Sequence, residues 1–317
     1  MNIEKTLEIL IPTYNRQKDL LHSLQQLLHR NSPVRNCRIT VLDNASEDDT
    51  RGVCLQMARQ HANLRYIRHE KNIGMGANIC AAMAMASLPY YWVVGDDDSY
   101  DFSRWTQVEE ALSRGADCAV VADFTLTDES YPSLLNQLGL LSAGIYKTAN
   151  VTSEVLQNAY ANIMNMFPHL ALVCRLVNDK KKFIVASPVA VWGTDNPDPD
   201  GKAYIRGSKD ETSLCPRLKY MWLQPAWQNI LQMLDDKQLR RLCMNQGYKY
   251  SKLSSSAPND RKYIKNICKT NLIYFHGYYA NIVDIFFTFS LKNKFWLLFY
   301  TLYFSLRKKR YLKEKSK

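Results

Sequence analysis

Three consecutive carboxylates follow an apolar stretch of the sequence. The stretch Tyr90–Val94 reads YYWVV, and Gly95-Asp96-Asp97-Asp98 comes directly after it. Carboxylates crowded at the end of a buried strand repel one another and are costly to desolvate unless a cation neutralises them. Mg²⁺ and Mn²⁺ bind carboxylates together with phosphate oxygens. The segment therefore predicts a site for Mg²⁺ or Mn²⁺, and the alternative is an acidic cap on a helix near Ser103.

Polar residues also follow three earlier predicted strands. These strands are short apolar runs at Leu7–Ile11, Arg38–Leu42 and Leu64–Arg68. The polar residues are Thr13, Tyr14, Asn15 and Arg16 after the first strand, Asp43 and Asn44 after the second, and Asn72 and Gly74 after the third. Ligands of α/β sheets bind at the carboxyl ends of the strands. The sequence therefore predicts that four loops line one crevice.

The elements that must position these loops are strands and helices in alternation. Helical patterns separate the strands at Asp19–His29, from Ser46 to about His61, and at Gly76–Ala86. This alternation predicts an α/β fold with a Rossmann-like, mainly parallel sheet flanked by helices. Later patterns predict helices at 102–114, 152–165 and 167–176, a strand at 118–122, a strand or hairpin in 181–192, and loops before residue 150 and at 195–207.

The net charge of +11 is concentrated at the carboxyl end. Residues 260–317 contain 13 Lys or Arg and 3 Asp or Glu, a net of +10, and 15 of the 36 aromatic residues. The apolar run 295–306 is shorter than the roughly 20 residues that span a bilayer, and a basic segment follows it. This pattern favours a shallow amphipathic helix on an anionic membrane, with a helix packed on the domain as the alternative. No nucleic-acid-binding motif accompanies the charge.

The eight cysteines are scattered, without CxxC pairs or zinc-ligand spacing, which indicates reduced thiols in a cytosolic protein. The amino terminus lacks the apolar region of a signal peptide. We therefore expect a cytoplasmic protein that is peripheral on the inner face of the cytoplasmic membrane.

Four segments together resemble the nucleotide-binding half of the family 2 glycosyltransferases with the GT-A fold. They are ILIPTYNR, VLDNASEDDT, NIGMGAN and VVGDDD, in that order. The resemblance covers residues 7–105 strongly and 160–195 weakly. The sequence departs from the family pattern at Gly95, where an Asp-x-Asp-Asp run usually begins, and at Ile79, which replaces an arginine. The Gly-Asp-Asp-Asp form itself resembles that of abequosyltransferases and related O-antigen enzymes.

The resemblance implies a role for each loop. The first loop (Pro12, Thr13, Tyr14, Asn15 and Arg16) would border the nucleotide, with Tyr14 against the base. Asp43 would bond the base edge beside Asn44, while Asn72 and Gly74 would line the ribose and phosphates. Asn78 is a polar substitute for the missing arginine. Asp96 would contact the donor, and Asp97 is the preferred metal ligand, with Asp98 as the ligand in the other register.

The resemblance also places a general base at the start of a later helix. Attack on an anomeric carbon needs a group that takes the proton of the acceptor hydroxyl. Relatives usually carry an acidic pair there, whereas this sequence has His169, whose neutral imidazole has a suitable pKa. The alternative is a helix-start histidine bonded to the backbone. Asp195, Asp210 and Glu211 are reserve bases, and Trp192 is a candidate for stacking on a sugar.

The resemblance implies an inverting, metal-dependent transferase for O-antigen or capsule polysaccharide. Its donor would be a UDP- or CDP-sugar, and its acceptor a glycan or lipid-linked saccharide. Residues 1–215 would form the GT-A domain, with a donor half, 1–105, and an acceptor half, 106–215. Residues 216–317 would be a helical extension that ends in the membrane tail. The alternatives are a sugar nucleotidyltransferase, whose Gly-rich basic loop is missing from ILIPTYNR, and a non-catalytic membrane-bound scaffold.

Overall fold

The computed structural model describes residues 1–121, 131–163, 167–186, 189–192 and 230–246 of the chain. Apart from Gln246, these residues belong to one unit that comprises Met1–Asp198 and Ile230–Asn245. The predicted domain boundary at residue 215, the loop at 195–207 and the tail at 260–317 lie outside the described residues.

Strands and helices alternate through the first hundred residues, as the sequence predicts. The strands are β1 (Leu7–Thr13), β2 (Arg38–Asp43), β3 (Leu64–Arg68) and β4 (Tyr90–Val93). The helices between them are α1 (Gln17–Leu27), α2 (Thr50–Gln60) and α3 (Met75–Met85). Each element coincides with a predicted one, although α2 begins later than its Ser-x-x-Asp signal suggests.

The second part of the chain contains the helices predicted at 102–114, 152–165 and 167–176 and the strand predicted at 118–122, together with elements that were not predicted. The strands are β5 (Asp98–Tyr100), β6 (Cys118–Val120), β7 (Gly144–Lys147), β8 (Phe183–Val185) and β9 (Ala190–Trp192). The helices are α4 (Trp105–Ser113), α5 (Tyr131–Leu138), α6 (Ser153–Ala161), α7 (Leu170–Asn178) and α8 (Lys237–Gln246). The polar loop predicted before residue 150 was wrong in part, because it contains α5 and β7. Of the strand or hairpin predicted in 181–192, the strand is confirmed by β8 and β9, whereas the hairpin is wrong because these two strands belong to different sheets.

Seven strands form the central sheet in the order β3-β2-β1-β4-β7-β6-β8. Strand β1 is parallel to both β2 and β4, with Thr13 opposite Asp43 and Leu10 opposite Val93. Strand β7 runs antiparallel to both of its neighbours, so the sheet is mixed but mainly parallel. A separate two-stranded sheet pairs β5 with β9, where Asp98 lies opposite Trp192.

The central strands are buried because helices cover both faces of the sheet, as parallel sheets require. Helix α1 is amphipathic and buries Leu20, Leu24 and Leu27. Trp92 of β4 is fully buried and donates its indole N–H to the Ser142 carbonyl at 2.8 Å. Its ring contacts Tyr100, with ring centroids 5.6 Å apart. Trp92 and Tyr100 lie on opposite sides of the acidic loop in the sequence. Their contact therefore packs β4 against β5, the two strands that flank this loop.

Candidate functional site

The strand order brings the four predicted loops to one edge of the sheet. Strands β1 to β4 are mutually parallel neighbours, so their carboxyl ends share that edge. The backbone N–H of Asn44 donates to the Thr13 carbonyl at 2.9 Å, directly beyond the paired ends of β1 and β2. In this sheet β2 and β3 lie on one side of β1 and β4 lies on the other, so the strand order reverses at β1. Ligands of α/β proteins usually bind in the crevice that the strand ends form at such a point.

Arg16 bridges the first loop and the acidic loop. Its Nη1 atom lies 3.1 Å from Asp96 Oδ1 and 2.5 Å from Asp97 Oδ2. The second oxygen of Asp96 accepts a hydrogen bond from the Thr13 hydroxyl at 2.7 Å. One guanidinium group therefore serves two carboxylates, and Asp97 is the more exposed of these two.

Asp98 is held by a different set of donors. Its Oδ2 accepts the backbone N–H of Gly95 at 2.8 Å, and the Ser142 side chain also donates to it. A Cβ atom added to Gly95 would lie 3.1 Å from both Asp97 Oδ1 and Asp98 Oδ2, which is tighter than an ordinary contact. Gly95 thus lets the loop fold back closely on its own carboxylates.

The charges in this loop are only partly compensated. Burial raises the pKa of Asp96 to about 7, although Arg16 works in the opposite direction. Burial also raises the pKa of Asp98 to about 6, opposed by the Ser142 and Gly95 hydrogen bonds. Burial alone would lower the pKa of Arg16, but Asp96 and Asp97 together raise it. A further cation at this loop would stabilise the ionised carboxylates.

Asp43 lies at the end of β2 and is fully buried. Its Oδ1 accepts the Ser46 backbone N–H at 2.8 Å, and its Oδ2 accepts the Tyr66 hydroxyl at 2.5 Å. Arg68 Nε lies 3.5 Å from the same Oδ2. Placed in this way, the Asp43 carboxylate has no exposed surface with which to meet a base. Tyr66 and Arg68 were not predicted as site residues, although their alternate positions in β3 put them on one face of the sheet.

The third loop closes on the second through amide side chains. Asn44 Nδ2 donates to Asn72 Oδ1 at 2.8 Å, and Asn44 Oδ1 accepts the Ile73 backbone N–H at 2.9 Å. Gly74 has a φ of 86°, a conformation that favours glycine, and it precedes the first turn of α3. These bonds fix the exposed turn from Asn72 to Gly74 at the mouth of the crevice.

Asn78 is buried beneath that turn. Its Nδ2 donates to the Leu42 carbonyl at 3.0 Å, and its Oδ1 lies 2.9 Å from His69 Nε2. The side chain therefore ties α3 to the ends of β2 and β3, and both of its polar atoms are already bonded. This arrangement supports the loops rather than presenting a polar group to the crevice.

Asn15 anchors the first loop to the second. Its φ of 54° turns the chain, its backbone N–H donates to Ser46 Oγ at 2.9 Å, and its Oδ1 accepts the Glu47 N–H at 2.7 Å. Pro12 and Tyr14, on either side of Thr13, are partly exposed. The first loop is thus rigid in its backbone, while Tyr14 retains exposed surface towards solvent.

His169 is buried just before α7. It is 4% exposed, and its Nε2 lies 2.9 Å from the Leu138 carbonyl. Its Nδ1 is buried and has no hydrogen-bond partner among the described residues. Burial lowers the pKa of His169 to about 4, although the Leu138 carbonyl opposes the shift. Ser142, which donates to Asp98, comes four residues after Leu138, so His169 supports the segment behind the acidic loop.

The donor set fits a divalent ion that is held by few protein ligands. Among the described residues, no group of three or more His, Cys, Asp or Glu side chains could hold a metal by itself. Mg²⁺ commonly uses one or two carboxylates and completes its shell with phosphate oxygens and water. Asp97 matches that mode, because it is partly exposed and accepts no backbone N–H from the residues that the structure describes. Asp98 would first have to leave Gly95 and Ser142.

Several predicted residues lie beyond what the structure describes. Asp195, Asp210 and Glu211 are outside the described residues, and only the backbone of Trp192 is described. In the described part of the chain, no helix is both long and apolar enough to cross a membrane. The six cysteines that lie there are all buried free thiols.

Solved structures with similar folds are glycosyltransferase structures of the GT-A type. Staphylococcus aureus TarS in complex with UDP-GlcNAc matches with a TM-score of 0.56 and 14% identity, over 85% of this chain and 81% of that one. A mannosyltransferase from Pyrobaculum calidifontis in complex with GDP-Man and Mn²⁺ matches with a TM-score of 0.50 and 10% identity, over 92% and 84%. At such low identities these likenesses show the fold, which is GT-A.

The sequence itself places the chain in a family. The model of glycosyl transferase family 2 matches residues 8–180, more than half of the chain, so the chain belongs to that family. The abequosyltransferase RfbV of Salmonella typhimurium is 32% identical over 91 residues. That match spans 28% of this chain and 27% of the relative, about a quarter of its length.

Proposed function

We propose that this protein is an inverting, metal-dependent glycosyltransferase. It moves a sugar from a nucleotide-sugar donor to a glycan or lipid-linked saccharide during synthesis of a bacterial cell-surface polysaccharide, such as O-antigen or capsule. The observation that carries the proposal is that hydrogen bonds and ion pairs join the four strand-end loops at one edge of the sheet, with Arg16 on Asp96 and Asp97. Family membership supports the reaction class, and the partial likeness to an abequosyltransferase supports the polysaccharide context.

The donor would lie across the carboxyl edge of the sheet. We assign Pro12 and Tyr14 to the nucleotide, with Tyr14 against the base, and Asn72 and Gly74 to the ribose and phosphate side. Arg16 is placed to meet the diphosphate. UDP-GlcNAc and GDP-Man in the similar structures support a nucleotide-sugar donor. We further propose a UDP- or CDP-sugar for this chain.

The base would be recognised by Tyr66 and Arg68, the side chains that contact Asp43, more than by the Asp43 carboxylate itself. Tyr66 and Arg68 both bind Asp43, and the Arg68 side chain is partly exposed. Asp43 would therefore orient these two side chains, and a direct bond from Asp43 to the base would require the carboxylate to leave its donors. Substituting Arg68 with Gln and comparing the affinities for UDP and CDP tests which groups read the base.

Asp97 is the proposed ligand of Mg²⁺ or Mn²⁺, with Asp98 as the second. When bound, such an ion neutralises the diphosphate and makes it a better leaving group. Asp96 would remain with Thr13 and keep the loop in place. The Mn²⁺ in the similar mannosyltransferase structure supports this cofactor class.

His169 is the proposed base for the acceptor hydroxyl, through its unbonded Nδ1. The low pKa that burial gives this histidine works against the role at neutral pH, so Asp195, Asp210 and Glu211 remain the reserve bases. Comparing H169N with D195N, D210N and E211Q under single-turnover conditions separates them. The variant that lacks the base should lose transfer by at least about a hundredfold while it still binds donor.

The central test compares Asp97→Ala with Asp101→Asn. Donor turnover is measured as release of nucleoside diphosphate from a panel of UDP- and CDP-sugars in the presence of Mn²⁺. We expect D97A to lose about a thousandfold or more, because the leaving diphosphate loses its counter-ion. D101N removes an exposed carboxylate four residues further on and should behave as wild type. Normal turnover by D97A would refute the assigned site.

We also propose that residues 260–317 attach the protein to the inner face of the cytoplasmic membrane. The proposal rests on the charge and aromatic content of that segment, since each basic group near an anionic surface contributes about 1 kcal/mol. Deleting residues 295–317 should abolish binding to vesicles that contain phosphatidylglycerol. A soluble acceptor analogue should still be glycosylated. Vesicle binding by the deletion variant would contradict the assignment.

A further inference from the structure

We infer that Arg16 is an internal counter-cation that competes with the divalent metal for Asp97, so that metal and donor bind together rather than metal first. The inference rests on the proposed function, and it assigns Arg16 a role before the donor arrives. The guanidinium would occupy the carboxylates in the empty enzyme and move to the diphosphate when the metal takes Asp97.

The contacts of Arg16 are those of a bridging cation. A single nitrogen, Nη1, lies within hydrogen-bond distance of one oxygen from each of Asp96 and Asp97. The Arg16 side chain is only 13% exposed, and the side chains of Asp96 and Asp97 are 10% and 27% exposed. Charge-assisted bonds that are this sheltered from water are stronger than surface ion pairs. Arg16 therefore supplies much of the positive charge that the acidic loop needs.

Few carboxylate oxygens of the acidic loop are available to a metal before the donor binds. Asp98 accepts from Gly95 and Ser142, and Asp96 accepts from Thr13 as well as Arg16. Asp97 is the carboxylate with the most exposed surface, and one of its oxygens lies 2.5 Å from Arg16. A divalent ion that coordinates Asp97 would meet a positive guanidinium a few ångströms away, and like charges at that distance repel strongly. Binding of metal alone should therefore be weak.

The donor removes this conflict because it carries a diphosphate. The phosphate oxygens complete the coordination of the metal. They also accept hydrogen bonds from a guanidinium, whose planar donors suit phosphate as well as carboxylate. Arg16 immediately precedes α1 and lies on the loop that the proposal assigns to the nucleotide, so its guanidinium would exchange partners at that loop. Metal and donor would then increase each other's affinity, as linkage requires.

The test measures binding of Mn²⁺ alone to the full-length protein by electron paramagnetic resonance of the free ion. R16Q should bind Mn²⁺ about tenfold or more tightly than wild type, because the competing charge is gone. The matched control is K18Q, which removes an exposed cation two residues away and should change the affinity less than about twofold. Adding D97N to R16Q should abolish the gain. Equal or weaker Mn²⁺ binding by R16Q, or a gain that survives D97N, would overturn the inference.

A second arm adds UDP as the probe nucleotide. UDP should tighten Mn²⁺ binding more in wild type than in R16Q, because only wild type has a guanidinium to transfer, and equal tightening would count against the exchange. If R16Q is poorly folded, R16M provides a second neutral variant, and Mn²⁺ should raise its melting temperature more than that of wild type. These measurements use no sugar donor. A wild-type protein that shows them without transferring sugar would refute the proposed function alone.

Discussion

Buried carboxylates lie at both edges of the central sheet, but the two edges supply them with donors differently. At the amino edge, Glu8 accepts the backbone N–H groups of Ser87 and Leu88 and pairs with Arg38 at 3.6 Å. At the carboxyl edge, Asp96 receives one hydroxyl and shares one guanidinium with Asp97. Glu8 is thus fully paired within the fold, whereas the acidic loop at the carboxyl edge is left short of positive charge.

The pKa directions of two further carboxylates follow the same contrast. Asp117, just before β6 at the amino edge, accepts from Asn150 Nδ2 and the Lys182 backbone N–H. Burial works against ionisation there, but these bonds outweigh it and lower the pKa of Asp117. Burial prevails at Asp98 and raises its pKa to about 6. The carboxylates at the amino edge are thus satisfied by the fold, whereas Asp96 and Asp98 in the acidic loop are only partly compensated, as is common for groups that bind ligands.

The largest expected effect is at Glu8. E8A removes the charged acceptor of two partly buried backbone N–H groups and should lower the free energy of unfolding by about 3 kcal/mol, measured by urea titration. E8Q is the matched control, because its amide oxygen can still accept those bonds, and it should lose less than half as much. Turnover per folded molecule should be unchanged in both variants. If E8Q is as unstable as E8A, charge rather than donor satisfaction governs the amino edge.

His169 should make the protein sensitive to acid. Its pKa is lowered from 6.5 to about 4 by burial, so the unfolded chain binds more protons between these values. Its contribution is therefore fully present above pH 6.5 and is lost as the pH falls towards 4. Between pH 6.5 and 4.5 wild type should lose about 2 kcal/mol more stability than H169N.

Urea titrations at several pH values check this expectation. The control is H22N, which removes an exposed histidine and should follow the wild-type profile. Parallel profiles for wild type and H169N would mean that His169 is not held neutral by burial.

Two glycines, one at each edge of the sheet, should show a smaller loss of stability when they are replaced. Gly74 at the carboxyl edge and Gly115 at the amino edge both have positive φ, and a Cβ added to either would meet no described atom within 4 Å. G74A and G115A should therefore each cost about 1 kcal/mol of stability for the conformation alone. Only G74A should also weaken UDP binding, measured by calorimetry. Weaker binding by G115A as well would mean that the loss is not local to the ligand edge.

The smallest effect is expected at Asp96. D96N removes one of two carboxylates that share Arg16, and its amide oxygen can still accept the Thr13 hydroxyl. The free energy of unfolding should therefore change by less than about 1 kcal/mol, or rise, as is common when ligand-site groups are replaced. A loss as large as that of E8A would remove the contrast between the two edges.

Much of the fold could be predicted because the first hundred residues carry local signals. Apolar runs such as LEILI and helical spacing such as that of Leu20, Leu24 and Leu27 depend on residues close together in the chain. Strands β5 and β7 were not predicted, because they form through pairing with strands that are distant in the chain. Strand β5 pairs with β9, and β7 pairs with β4 and β6. The sequences of β5 and β7, DSY and GIYK, also lack the apolar run that marks the equally short β4 and β6.

For the site, the sequence by itself determined which loops meet, because parallel strands that alternate with helices must end at a common edge. It also located the carboxylates of the acidic loop. Only the tertiary structure decided how they are used: Arg16 lies on Asp96 and Asp97, Ser142 lies on Asp98, and Tyr66 and Arg68 enclose Asp43. The physical reason is that burial and hydrogen bonding depend on neighbours that are distant in the chain. The residue type shows which side chains can bind a ligand. The packing decides which of these side chains already bind other groups of the protein.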